Sequence, residues 1–194
     1  EAIRAARPRL VILDLMRVAG DNLVTSRQVD FALLPNAATL PGAATEPFIA
    51  QDLYLVGRVP PTGATGDIDF QELERFTLVM GDRRNQLRVD LENTAAREKA
   101  RIRVAIEQDS MSVFRSLVLC GPAYTIVPFS AFADEINAGR LTATRIVNPV
   151  IERTLSFVWH ENSDLSSPAK AVMELVREKV SEMVSNGLLK GRIL

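Results

Sequence analysis

Phe76-Thr77-Leu78-Val79-Met80-Gly81, then Ile102-Arg103-Val104-Ala105-Ile106, then Tyr124-Thr125-Ile126-Val127-Pro128 are the runs whose reading decides how this chain folds. Each is short, apolar and rich in β-branched side chains, as expected of strands buried on both faces. Between the first and second lies a polar helical stretch at about Asn85 to Lys99, and between the second and third a helix from Ser112 to Cys120. Strand, helix, strand, helix, strand implies a parallel sheet wrapped by helices, joined by right-handed crossovers. The class is α/β.

The same alternation extends outward in both directions. Upstream, Arg9 to Met16 reads as a buried parallel strand interrupted by Asp14, residues 20 to 28 as a short helix, and Phe31 to Pro35 as a second buried strand. Asn36 to Pro47 reads as a loop and Asp52 to Val56 as a strand, while Pro60-Pro61-Thr62-Gly63 breaks the pattern. Asp69 to Arg75 suggests one or two helical turns. Downstream come a helix at Ser130 to Ala138, a stop at Gly139, and extended segments at Leu141 to Val147 and Thr154 to Trp159. A terminal helix follows, with Ser167 as N-cap, Pro168 at N1 and an apolar stripe from Val172 through Leu175, Val176, Val180 and Met183 to Val184.

Twenty-three Lys and Arg residues balance 24 Asp and Glu residues. No global positive field draws these 194 residues to nucleic acid. The lone Cys120 excludes an intrachain disulfide and, inside the run Ser116 to Cys120, reads as a small buried hydrophobe. No basic start leads into an apolar segment, and no apolar run approaches the roughly 20 residues of a membrane helix. A cytoplasmic protein without membrane contact is expected. The opening Glu1 to Arg7 consists of helix formers with neither a cap residue nor an initiator Met, the expectation for a segment cut within a helix.

Little in the chain suggests catalysis. His160 is the only histidine and is read as a solvent-facing loop residue beside Glu161 and Asn162. Cys120 has no partner in a CxxC spacing and no cation beside it to lower its pKa. The acidic residues show no metal-ligand spacing, and Gly63, Gly66 and Gly81 do not make a phosphate-cradling loop. No metal and no cofactor are expected. Two features suit an anion: the cluster Asp82-Arg83-Arg84 between a strand end and a helix start, and Arg17 just beyond the first strand. Ligands of open parallel sheets collect at such strand ends.

An ordered series of segments resembles the LysR-type regulators. Glu107, Leu117-Val118 and Gly121-Pro122-Ala123-Tyr124-Thr125-Ile126-Val127-Pro128 are similar to the family's acidic strand end, its helix ending in Leu-Val and its Gly-x-Gly-Tyr-Thr-Ile-x-Pro segment. Gly139-Arg140-Leu141, Arg153-Thr154-Leu155 and Leu165-Ser166-Ser167-Pro168-Ala169 resemble later family segments. Val29-Asp30-Phe31-Ala32-Leu33, Glu46-Pro47-Phe48 and Asp52-Leu53-Tyr54-Leu55-Val56 resemble earlier ones. The details are nearest to the nitrogen-assimilation-control branch. Arg17 stands where the family often has Ser or Thr, and Arg27 and Ala123 where it has Gly.

The resemblance implies two Rossmann-like lobes of the type 2 periplasmic-binding-protein kind with crossing hinge strands: residues 1–57 with 151–194, and residues 58–150. It implies a non-enzymatic effector-binding domain of a regulator that reads DNA only through an N-terminal helix-turn-helix outside these residues and assembles as a homodimer or homotetramer, with the polar helix near Asn85 to Lys99 as one dimer surface. The effector would sit between the lobes against Arg17, Pro35, Gly81, Asp82, Arg83, Asp109, Ser110, Val127 and Pro128. Arg17 points to an anion. The alternative that the fold equally allows is a stand-alone periplasmic-type solute-binding protein; a third reading, an enzyme using His160 or Cys120, predicts loss of turnover on mutating either.

Overall fold

The computed structural model describes residues 11, 17–37, 40–61 and 66–194. The expected first strand at Arg9 to Met16 and the opening helical segment fall outside the described residues. The elements run α1 (Arg17–Thr25), β1 (Ala32–Pro35), β2 (Ala43–Gly57), β3 (Ile68–Asp69), a 3-10 turn (Phe70–Arg75), β4 (Thr77–Met80), α2 (Gln86–Glu98), β5 (Arg103–Glu107), α3 (Met111–Cys120) and β6 (Thr125–Pro128). A second 3-10 turn (Phe129–Phe132), α4 (Ala133–Asn137), β7 (Thr142–Val147), β8 (Glu152–His160), α5 (Ser167–Ser185) and β9 (Arg192–Ile193) complete the chain. It divides into two compact units, one reaching Ala50 and resuming at Thr154, the other running from Gln51 to Arg153.

Alternating side chains build the second unit. Along β2, Leu53 and Leu55 enter one apolar cluster with Leu78, Met80, Phe70, Leu73 and Leu91, while Tyr54 and Val56 enter another with Val79, Phe114, Val118, Phe129 and Phe132. Successive strand residues face opposite sides of a sheet, so α2 and the first 3-10 turn cover one face and α3 with the second turn the other. β4 and β5 are parallel, and a parallel bridge joins Leu78 to Tyr124 just ahead of β6. β6 and β7 pair antiparallel with β2, and β3 runs parallel to β7.

The first unit is also covered on both faces. In β8, Phe157 packs with Phe48, Ile49, Met173 and Val176, whereas the adjacent Val158 packs with Val24, Leu34 and Ala37. β1 lies antiparallel to β8, with Ala32 opposite Val158, and β9 pairs antiparallel with β2 at Ile49 and Ala50.

Four expectations are corrected. The purely parallel sheet is a mixed one, because β1, β6, β7 and β9 all find antiparallel partners. The loop read at Asn36 to Pro47 gives way at Ala43 to β2, which passes through an exposed Pro47, a position where a missing N–H is tolerated. The cap of α5 is Ser166, whose hydroxyl accepts from Ala169 N at 3.2 Å, so Ser167 is the first helical residue. Cys120 is exposed: helical periodicity buries Phe114 and Val118, and two residues beyond Val118 turns the side chain outward.

Glu135 is a buried charge held through one of its two carboxylate oxygens, Oε1, while Oε2 is buried without a hydrogen-bond partner among the described residues. Glu135 in α4 is 5% exposed and accepts from Arg115, whose guanidinium also donates to Ala131 O at 3.0 Å and lies 4.9 Å over the Phe132 ring. Burial pushes the Glu135 carboxyl up, but the Arg115 hydrogen bond, a backbone hydrogen bond and the charges of Arg115 and Arg140 outweigh it and hold the group below its usual range. A depressed folded-state pKa contributes stability above the ordinary value of 4.5, lost as pH falls through the folded one. Glu135→Gln should cost about 1–2 kcal/mol near neutral pH and blunt the acid dependence below that value in urea melts across pH; an unchanged acid limb would contradict the assignment.

Candidate functional site

The carboxyl ends of β4, β5 and β6 lie along one edge of the second unit, since β4 and β5 are parallel and the Leu78–Tyr124 bridge sets the chain entering β6 in the same sense. Gly81 and Asp82 follow β4, Gln108 to Ser110 follow β5, and Val127 and Pro128 end β6. Helices α2 and α3 begin from the first two of these turns.

Hydrogen bonds tie the first two turns together. Gln108 N donates to Met80 O at 2.9 Å, Asp82 N donates to Asp109 Oδ1 at 3.1 Å, and Ser110 N donates to Gln108 Oε1 at 2.8 Å. Gly81 has no room for a side chain: a Cβ there would lie 2.7 Å from Asn85 Nδ2, and Asn85 is committed to capping α2 by accepting from Leu87 N at 3.0 Å. Ser110 opens α3 without a side-chain capping bond, its hydroxyl instead sharing a hydrogen with Ser112 Oγ at 3.1 Å.

The charges pair in a way the sequence does not reveal. Arg84, not Arg83, closes on Asp82, donating from N at 2.8 Å and from Nε at 2.7 Å, and approaches Asp109 at 3.9 Å. The Arg84 side-chain hydrogen bond is the main reason the Asp82 carboxyl sits below its ordinary value of 3.8. Arg84→Ala should therefore raise the Asp82 titration seen by carboxyl-carbon NMR. The stability this pair adds is present above the ordinary aspartate pKa and fades as pH falls through the lowered one. Arg83 is exposed. Behind the turn, the buried guanidinium of Arg88 donates to Glu92 at 2.6 Å, lies 3.6 Å from Glu107 and reaches Gly81 O at 3.5 Å.

Of the residues expected from the sequence, Asp82 and Asp109 are joined by a hydrogen bond, Gly81 and Ser110 stand next to them in the same two turns, and Val127 and Pro128 occupy the neighbouring strand end. Pro35 ends β1 in the first unit, and the Arg17 side chain lies outside the described residues. Arg84 belongs to the basic cluster singled out in the sequence, whereas Asn85 and Arg88 are contributors that sequence reading missed. The cap signal of Asn85 before a helix was the one trace available for these two. The arrangement offers main-chain N–H groups at a helix start, with Arg83 nearby, which suits an anionic or polar group. Among the described residues no group of three His, Cys, Asp or Glu side chains could hold a metal ion, and no helix is long and apolar enough to cross a membrane.

The nitrogen assimilation regulatory protein nac of Escherichia coli K12 is 23% identical over 187 residues, 95% of this chain and 60% of that protein. The chain thus spans between half and three fifths of the curated relatives it matches. The regulatory domain of Synechocystis PCC6803 CcmR, solved in complex with 2-PG, superposes with a TM-score of 0.77 at 15% identity, covering 91% of this chain and 86% of that one. The effector binding domain of QuiR, solved in complex with shikimate, gives 0.73 at 13% identity, with 93% and 88% covered. These likenesses show a common fold, the two-lobed type 2 periplasmic-binding-protein-like architecture. The family profile described as the LysR substrate binding domain matches residues 13–181, and the chain belongs to that family.

Proposed function

We propose that the chain is the effector-sensing domain of a LysR-type transcription regulator, cytoplasmic and without catalytic activity of its own. In this reading the whole protein contacts DNA through a separate N-terminal domain. The observation that carries the proposal is the pair of hydrogen-bonded turns at the ends of β4 and β5, set before the N-terminus of α3. An anionic or polar metabolite would be held there by Arg83, Ser110 and the turn amide of Gly81, against Asp82, Asp109, Val127 and Pro128. Arg17 and Pro35 are proposed contacts on the first unit, and the lobes are assigned as residues 1–57 with 151–194, and 58–150. Association into a homodimer or homotetramer through α2 belongs to the same reading, with cross-linking or light scattering as its test.

The effector can change the domain only through differential affinity for two of its conformations, with couplings of about 1–3 kcal/mol typical. A panel of carboxylates and phosphate esters titrated against the isotope-labelled domain tests the site: a binder should move the amide signals of Asp82, Asp109 and Ser110 saturably. Arg83→Ala should weaken that binder by about tenfold, the loss of one charge-assisted hydrogen bond, without changing the melting temperature. Shifts confined to other residues would move the site elsewhere.

A further inference from the structure

The first unit carries a concavity that the effector site does not use. A cavity of roughly 280 Å³ is lined by Arg27, Gln28, Asp30, His160, Ser163 and Asp164, with the apolar Val29 and Leu165 completing its wall. It lies at the amino end of β1, because residues 27–30 lead directly into that strand and His160 ends its antiparallel partner β8. Pro35, the effector contact proposed for this unit, is at the opposite end of β1, about 10 Å away at the usual strand rise.

The lining combines charges that nothing else in the fold consumes. Arg27, Asp30 and Asp164 enter no ion pair among the described residues. His160 Nδ1 accepts from Asn162 N at 3.1 Å, which leaves the proton of a neutral ring on Nε2 as a donor. Arg27 also sits where the backbone favours glycine. It is the left-handed residue after α1, at φ 58°, with Arg27 N bonded to Val24 O at 3.0 Å and Gln28 N to Leu23 O at 2.9 Å. That closing motif normally takes Gly or Asn, so an arginine there pays a backbone cost that its cap role does not require.

A simple anion in this cavity would meet two carboxylates, and a simple cation would meet the guanidinium. A ligand bearing both charges satisfies all three groups. At about 30 Å³ per water-sized group, 280 Å³ holds roughly nine such groups, the size of an amino acid and well short of a nucleotide. With His160 neutral the three charged groups sum to −1, which favours a ligand with a second amine.

We propose that this cavity is a second small-molecule site, taking a free α-amino acid with its carboxylate on Arg27 and His160 Nε2 and its ammonium on Asp30 and Asp164, basic amino acids ahead of neutral ones and acidic ones last. The test is a titration of the isotope-labelled domain with L-lysine, L-alanine, L-glutamate, sodium acetate and methylammonium chloride. L-lysine should move the amides of Asp30, Ser163 and Asp164 saturably, at least about tenfold more tightly than acetate or methylammonium alone, each of which forgoes one set of charge-assisted bonds. Arg27→Asn, which keeps the left-handed backbone, should weaken L-lysine by a similar factor, and Arg27→Lys should recover part of it. The proposal is overturned if no saturable shift appears by tens of millimolar, if acetate or L-glutamate binds as tightly as L-lysine, or if Arg27→Asn leaves the affinity unchanged. Shifts at Asp82, Asp109 and Ser110 in place of Asp30 and Ser163 would overturn it equally, by placing the ligand in the other site.

Discussion

Phe157→Ala is expected to destabilise the protein by about 3–5 kcal/mol, the cost of emptying a fully buried aromatic site. Phe157 is 0% exposed, its ring centroid lies 4.8 Å from that of Phe48 and 5.8 Å from that of Phe31, and the Arg177 guanidinium sits 4.8 Å over its face. Arg177 is held there by Glu174 at 2.5 Å and by Glu46, so the surrounding groups are tethered and cannot collapse freely into the gap. At roughly 2–4 °C per kcal/mol for a chain of this length, the melting temperature should fall by roughly 6–20 °C. Phe157→Leu refills most of the volume and should recover more than half of the loss. A drop of under 1 kcal/mol in urea melts for the alanine variant would mean that this cluster is not the organising core of the first unit.

Gly57→Val is the second large effect, at roughly 2–3 kcal/mol, from overpacking. A Cβ at position 57 would stand 2.4 Å from Tyr124 Cδ1 and 2.7 Å from Cε1. The ring is not free to swing aside, because the Tyr124 hydroxyl donates to Val59 O at 3.0 Å and the ring meets Phe76 edge-on at 4.9 Å. Nor can the strand retreat easily: Gly57 is in register with Thr142 of β7, whose hydroxyl donates to Gly57 O at 3.0 Å. Since the clash is with one ring, Gly57→Val and Tyr124→Ala should be non-additive, the double variant being at least ~1 kcal/mol more stable than the sum of the singles predicts. Simple additivity would show that the close approach is relieved some other way.

Much of the element order is legible because hydrophobic periodicity is local. The strands around Leu78, Val104 and Ile126, and the helices at Gln86–Glu98 and Met111–Cys120, fall within a residue or two of their expected positions. The misses have particular causes. β2 extends back to Ala43 although Ala43-Ala44-Thr45-Glu46-Pro47 carries the composition of a loop. Its small residues are held extended by neighbours distant in sequence, the tertiary override of propensity. Ser166 and Ser167 are equally good caps by type, and which hydroxyl reaches Ala169 N depends on how the chain enters the helix. Cys120 sits in an apolar run, yet the helical turn carries it off the buried face. The candidate site was legible as strand ends but not as a charge arrangement, since Arg83 and Arg84 are identical in type and only their directions decide that Arg84 closes on Asp82 and Asp109.

The sequence by itself determined where most strands and helices lie, because the periods of 2 and 3.6 residues belong to the backbone and need no knowledge of a partner, but not which side chains are covered: Cys120 and most of β5, both read as buried, are exposed. Tertiary structure alone decided that β1 pairs antiparallel with β8, and β6, β7 and β9 with β2. It also decided that Arg88 and Glu135 are buried charges, and that Asp82 and Asp109 share one arginine while Arg27, Asp30, His160 and Asp164 line one cavity. Those outcomes depend on through-space contact between residues far apart in the chain, and electrostatic interactions and hydrogen bonds act over distances set by the packed fold, not by position along the sequence.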